Sequence, residues 1–168
     1  MEPSKVVGGL LDIRLADRAS VELTPLVLKL TRRMASLTGV DREQLDEAWE
    51  VISYESGGHY GPHYDWLYLT GDEPFGNRIA TFMLYLRLPA EGGATVFPRL
   101  NLSVLPSPGD ALMWFNMHTD GQRHDGAYHG GCPVVEGRKA VATLWIGERG
   151  QELSIKCPKA GFDFVVDE

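Results

Sequence analysis

The stretch Tyr60-Gly61-Pro62-His63-Tyr64-Asp65 places an imidazole and a carboxylate two residues apart. On an extended strand, residues i and i+2 point to the same face. A ring nitrogen and a carboxylate oxygen would therefore converge on one point without any special fold. One more histidine from elsewhere completes two His and one carboxylate on one side of a metal ion. That donor set suits non-haem Fe(II), because it leaves coordination positions open for a co-substrate and dioxygen. His-x-Asp also occurs on half-exposed strands as two polar residues and nothing more, so the rest of the chain has to supply the remaining parts.

The chain has five histidines, His59, His63, His118, His124 and His129. Spacing alone leaves the last three open as the distant ligand. His118 and His124 lie in a polar Thr-Asp-Gly-Gln-Arg loop and read as solvent-exposed. His129 stands at the end of that loop, against Gly-Gly-Cys-Pro-Val-Val, where a residue entering a sheet is better placed to hold a rigid geometry. Ten residues on, Lys139 opens an apolar strand. A lysine there either snorkels from the strand end or is buried and needs an anionic partner. Its neighbour Arg138 should face the opposite side, in solvent.

The elements that must position these groups follow from composition and pattern. At 168 residues the chain suits one domain with a sizeable core. A net charge of −7 argues against a nucleic-acid groove or an anionic membrane surface as the main partner. No apolar run approaches the ~20 residues of a membrane span. The opening Met-Glu-Pro-Ser-Lys-Val-Val-Gly-Gly lacks the basic-then-apolar order of a secretory signal. Nineteen glycines and ten prolines imply many turns, hence short strands.

Alternation over 12–17 predicts an early strand. Thr24-Pro25 predicts a helix entry, Leu26, Leu30, Met34 and Leu37 its apolar stripe, and Gly39 its stop. A short helical turn is expected over 41–45. Strands are then expected over 49–54, 60–65, 78–87, 94–97, 102–105, 110–116, 134–135 and 139–147, with 78–87 apolar on both faces and so central. One helix followed by about eight short strands indicates a mainly β fold with an N-terminal helix, a jelly roll or barrel. Cys132 and Cys157 are either two thiols or one disulfide, which composition does not decide.

Several blocks occur in one order: His63-Tyr64-Asp65, Gly76-Asn77-Arg78-Ile79-Ala80-Thr81, Gly92-Gly93-Ala94-Thr95-Val96-Phe97-Pro98, His129-x-x-Cys132-Pro133-Val134 and Glu148-Arg149-Gly150-Gln151-Glu152. Together they resemble the catalytic domain of the collagen prolyl 4-hydroxylase alpha subunit, over roughly Ile13 to Cys157. The resemblance implies a double-stranded β-helix (jelly-roll) core and a single Fe(II)/2-oxoglutarate dioxygenase domain over 1–168, cut from a longer chain. It makes His63, Asp65 and His129 the Fe(II) ligands and Lys139 the residue that binds the far carboxylate of 2-oxoglutarate. Tyr54 and Thr95 match positions that contact the same co-substrate, while Tyr60, Arg78 and Trp145 match positions lining the cleft. Tyr54 and Trp145 also read as aromatic core, and Arg78 as a structural ion-pair arginine.

By the same resemblance, Cys132 and Cys157 occupy positions that pair, which implies an oxidising compartment such as the endoplasmic reticulum lumen. Ascorbate, a proline-containing peptide substrate and a disulfide-isomerase subunit are further implied. The expected reaction is hydroxylation of peptidyl proline to 4-hydroxyproline in collagen-like sequence. The alternatives are a related oxygenase with another protein substrate, or a non-catalytic peptide-binding jelly roll that retained the metal site. Departures fall on the substrate side. Gly147 stands where the resembling enzymes carry a histidine, Ala140 where tryptophan is usual, and Tyr128 where arginine is common.

Overall fold

The computed structural model describes residues 2–8, 11–40, 48–68 and 76–151, with side chains described from residue 14 onward. In chain order the elements are β1 (Glu2–Gly8), β2 (Leu11–Ser20), α1 (Pro25–Thr38), β3 (Glu50–Tyr54), β4 (His59–His63), β5 (Arg78–Arg87), β6 (Glu91–Gly92) and β7 (Thr95–Phe97). There follow β8 (Leu102–Val104), β9 (Ala111–Phe115), β10 (His129–Gly131), β11 (Val134–Glu136) and β12 (Lys139–Gly147), with short 3-10 turns at Pro98–Leu100 and Asp125–Ala127. Twelve strands among the described residues exceed the expected nine, and two precede the helix where one was expected. The additional ones carry little pattern: β1 holds a proline and no alternation, β6 has two residues, and two of the three residues of β10 are glycine. The turn expected over 41–45 lies outside the described residues.

The helix forms where its caps predict. The Thr24 hydroxyl accepts from the Val27 N–H at 3.3 Å, and Gly39 closes the last turn at φ 75°, donating to Ala35. Its buried face differs from the expected stripe. Val27, Leu30 and Met34 pack into the core, whereas Leu26 and Leu37 are 76% and 73% exposed. Trp49 selects this rotation. Its indole N–H donates to Thr31 at 2.9 Å, and its ring meets Phe82 edge-on.

The strands form one long antiparallel sheet, ordered β8-β7-β10-β4-β2-β3-β12-β5-β9, with β1 on the other side of β2 and a separate β6–β11 pair. Both β3 and β4 pair with β2, at Asp17–Ser20 and at Arg14–Leu15 respectively. They are thus one extended path interrupted between Tyr54 and His59. That interruption divides the sheet into two arms, β3-β12-β5-β9 and β4-β10-β7-β8, which curl toward each other in a mainly β, jelly-roll arrangement.

Period-2 alternation sorts the first arm into two faces. Ala142, Leu144 and Ile146 of β12, with Ala80 and Phe82 of β5, pack under α1. Lys139, Val141, Thr143 and Trp145 of β12, with Ile52 and Tyr54 of β3 and Met83 of β5, turn the other way and line a cavity. The second arm closes that cavity with Tyr60, His63, Thr95 and His129. Two glycines permit the closure. Gly93, at φ 70°, has Pro89 where a Cβ would stand, and a Cβ at Gly130 would lie 3.0 Å from the Tyr60 carbonyl oxygen.

Candidate active site

Cross-strand register brings the distant histidine to the first one. In the β4–β10 ladder His129 stands opposite His63, with ring centroids 4.4 Å apart. Each ring is oriented by backbone: Nδ1–H of His63 donates to the Gly61 carbonyl and Nδ1–H of His129 to the Ala127 carbonyl, both at 2.9 Å. A carbonyl only accepts, so each Nδ1 carries a proton and Nε2 is the ring atom turned toward Asp65, where in the neutral ring it offers a lone pair.

Asp65 completes the set from a place the strand pattern does not give. β4 ends at His63, and Asp65 lies on the bend that follows, not on the same strand face as expected. Asn77 makes that bend. Its side-chain oxygen accepts from the Leu67 N–H and its amide donates to the Leu67 carbonyl, both at 2.9 Å, which staples the segment after Asp65 to the start of β5. The carboxylate then points back at the histidines, with Oδ1 3.5 Å from His63 Nε2 and Oδ2 3.7 Å from His129 Nε2. The ligand atoms of all three lie within 4.8 Å of one another. His118 and His124 are not part of this group. Their rings pack on each other at 4.5 Å, His118 exposed but His124 half-buried where solvent was expected.

The electrostatics suit a cation. Burial by itself would push the Asp65 carboxyl up, but the bond with His63, the charges of His129 and His63 and a bond from Thr81 hold it well below the usual carboxylate range. Burial pushes His129 down, against the opposing pull of Asp65. A carboxylate and a neutral imidazole are the forms that bind metal.

Across the cavity, Lys139 is 3% exposed. Its register partner in β3 is Tyr54, and its ammonium donates to the Gly93 carbonyl at 2.8 Å and to the Thr95 hydroxyl at 3.3 Å. Among the described residues no carboxylate pairs with it, and burial lowers it to about 8, with only Cys132 opposing. The Thr95 oxygen also accepts from the Tyr85 hydroxyl at 2.8 Å, so its own hydrogen is left to point elsewhere. Burial also pushes the Tyr54 phenol up, which keeps it a donor. Two more cavity-lining atoms, Thr143 Oγ1 and Trp145 Nε1, are buried without a partner. A cation and several hydroxyls facing an apolar wall form a receptor for a small anion.

A family model described as the 2OG-Fe(II) oxygenase superfamily matches residues 49–147. The chain belongs to this superfamily. The oxygenase match spans every group described above, and the residues fit the two molecules that the superfamily's description names. Both Nε2 atoms and the Asp65 carboxylate are free to ligate Fe(II), and the unpaired Lys139 suits a diacid. Human prolyl 4-hydroxylase subunit alpha-3 is 42% identical over 144 residues, 83% of this chain and 26% of that protein. The chain spans about a quarter of the length of the curated relatives it matches. Among solved structures, the viral collagen prolyl hydroxylase of Paramecium bursaria Chlorella virus-1 with 2OG superposes with a TM-score of 0.69 at 26% identity, covering 79% of this chain and 78% of that one. A Trichoplax adhaerens prolyl hydroxylase, solved with a hypoxia inducible factor peptide fragment, shares the fold at a TM-score of 0.55 and 21% identity, covering 86% and 68%.

Of the remaining candidate residues, Tyr60 and Trp145 line the oxygenase cavity, while Arg78 reaches it only through its contact with Trp145. Tyr60 stacks on His63 with centroids 3.7 Å apart, and the Arg14 guanidinium lies 5.0 Å from its ring. Arg78 lies 4.1 Å from the Trp145 ring, and its register partner is Gly147. Cys132 is half-buried and pairs with no cysteine among the described residues, and Cys157 lies outside them. Sequence reasoning passed over Thr81, Asn116 and Tyr85. Thr81 had a signal, a lone hydroxyl inside an apolar strand, which on burial must find a partner.

Proposed function

We propose that this chain is an Fe(II)- and 2-oxoglutarate-dependent dioxygenase that hydroxylates peptidyl proline in collagen-like sequence. One observation carries it: Lys139, a buried ammonium with no carboxylate partner among the described residues, shares a cavity with the His63-Asp65-His129 group. Burying an unpaired charge is costly, and a bound diacid removes that cost.

Bound Fe(II) and 2-oxoglutarate would supply hydroxylation of an unactivated C–H bond with dioxygen as the oxidant, one oxygen atom going to the substrate and the other to the succinate that forms, with carbon dioxide, from 2-oxoglutarate. The chain supplies placement. His63 and His129 would present their Nε2 atoms, and Asp65 a charged oxygen, to the ion. Lys139, the Thr95 hydroxyl and the Tyr54 phenol receive the far carboxylate of the co-substrate. Ile52, Met83 and Val141 keep water from the cavity wall, which protects a reactive site from side reactions. Tyr60 and Trp145 border the space left for the target side chain, with Arg78 packed on the Trp145 ring. The choice of a prolyl peptide rests on similarity to the human and viral prolyl hydroxylases, whereas ascorbate, a disulfide-isomerase subunit and an endoplasmic reticulum location are what the family resemblance of the sequence implies.

The test is 2-oxoglutarate turnover with Fe(II), ascorbate and a Pro-Pro-Gly repeat peptide. Oxygen-dependent succinate and hydroxyproline support the proposal. Succinate alone points to another substrate, and neither product points to a peptide-binding module.

A further inference from the structure

Asp65 has a second tier of support that the superfamily's donor set does not specify. The Thr81 hydroxyl donates to Asp65 Oδ2 at 2.7 Å, and the Asn116 amide nitrogen donates to the Thr81 oxygen at 2.8 Å. Thr81 and Asn116 are both 0% exposed, and Asp65 is 5% exposed. Asn116 is itself pinned by backbone, its N–H to the Ile79 carbonyl at 2.8 Å and its carbonyl to the His124 N–H at 2.9 Å.

The direction of this chain of bonds follows from donor counting. A threonine hydroxyl has one hydrogen, and an amide NH2 only donates. With Asn116 donating to it, Thr81 has to send its hydrogen to Asp65. A flipped amide would instead accept that hydrogen and leave two unprotonated oxygens 2.7 Å apart. The Asn116 oxygen is buried without a partner, so the orientation is held by the Thr81 contact itself.

We propose that Asn116 and Thr81 are positioning residues that keep Asp65 a one-oxygen ligand. Thr81 occupies Oδ2 and leaves Oδ1 for the ion. Carboxylates otherwise bind through one oxygen or two, and a two-oxygen grip would take a coordination position that the co-substrate or dioxygen requires. This inference rests on the metal reading of the His63-Asp65-His129 group but not on the substrate.

Cobalt(II) alone serves as the probe, with affinity and visible d–d bands followed for the wild type, T81V, T81S, N116L and T81V/N116L. Loss of a support of this kind costs about 10–100-fold in metal affinity. T81V is expected to show that loss with shifted bands, and T81S to restore both. N116L should weaken binding by less, and the double variant should match T81V, because Asn116 acts only through the threonine hydroxyl. Unchanged affinity and bands in T81V, or N116L and T81V losses that add, overturn the proposal. The wild type supplies a reading independent of variant folding. The Asn116 side-chain amide protons should exchange slowly and shift on adding Zn(II), and unmoved resonances count against the proposal. Neither measurement uses 2-oxoglutarate or peptide, so failure of the hydroxylase reading leaves this result standing.

Discussion

Lys139 and Tyr54 are register partners in the β3–β12 ladder, and the lysine ammonium lies 5.6 Å from the tyrosine ring centre. Tyr85 stands on the other neighbouring strand, its ring 5.8 Å from the same ammonium. Two aromatic rings, the Gly93 carbonyl and the Thr95 hydroxyl thus surround a cation that has no carboxylate partner among the described residues. Removing one partner of a buried charge pair costs ~2–5 kcal/mol. Lys139→Ala is therefore expected to raise the 2-oxoglutarate requirement by more than about tenfold, with Co(II) affinity unchanged. Titrating both ligands against the variant checks it, and an unaltered 2-oxoglutarate requirement removes Lys139 from the role.

The same burial sets a pH limit. In the free protein the ammonium titrates at about 8, against an ordinary lysine value near 10.5. Only the charged form attracts a dianion, whose carboxylates are fully ionised throughout this range. The apparent KM for 2-oxoglutarate should hold steady below pH 8 and climb above it. Stability without ligand should move the other way. Between about 8 and 10.5 the unfolded chain binds more protons at this site, so unfolding becomes harder as pH rises. A flat KM from pH 7 to 9.5 contradicts this.

Gly147 offers no side chain opposite Arg78, at a position where the family resemblance implies a histidine. A misplacement of ~1 Å at a reacting atom costs about a hundredfold in rate. The wild-type chain should hydroxylate a Pro-Pro-Gly repeat slowly while consuming 2-oxoglutarate without product. G147H should raise hydroxyproline yield per succinate and leave the 2-oxoglutarate requirement alone. Tight coupling in the wild type shows that another residue fills the position.

Cys132 lies three residues past His129, and its backbone N–H is held by the Ala94 carbonyl at 2.9 Å. Pairing with Cys157 after oxidative folding would contribute ~3 kcal/mol in the chain-entropy model. Non-reducing peptide mapping should recover a Cys132–Cys157 crosslink, and a reductant should lower the melting temperature. Two alkylatable thiols in the oxidised protein exclude the pair.

Much of this arrangement was legible because period and register act together. The β12 strand, apolar but for Thr143 after a lysine at its first position, marks a buried strand, while its pattern left that lysine either snorkelling or buried; the structure buries it. The 78–87 strand and the helix caps are equally local and appear within their expected bounds. What failed was information held elsewhere in the chain. The helix rotated to satisfy the Trp49 indole, and no helical stripe records that demand. Asp65 left the strand because Asn77 captured Leu67, a contact between residues ten apart in the chain. Thr81 and Asn116 stayed unread because their value depends on one another and on Asp65.

The His63–His129 register carries a consequence for how the protein assembles. Side chains alternate faces along a strand, so a slip of one residue between β4 and β10 turns a histidine outward. An ion held by both strands therefore proofreads their pairing, stabilising the correct alignment and nothing for its nearest competitors. At a hundredfold excess over its dissociation constant it favours the folded state by ~2.7 kcal/mol. β10 is three residues long and two of them are glycines, too little to enforce alignment unaided. Refolding with Zn(II) should give a higher yield of a single species than refolding with a chelator, and H129A should erase the difference.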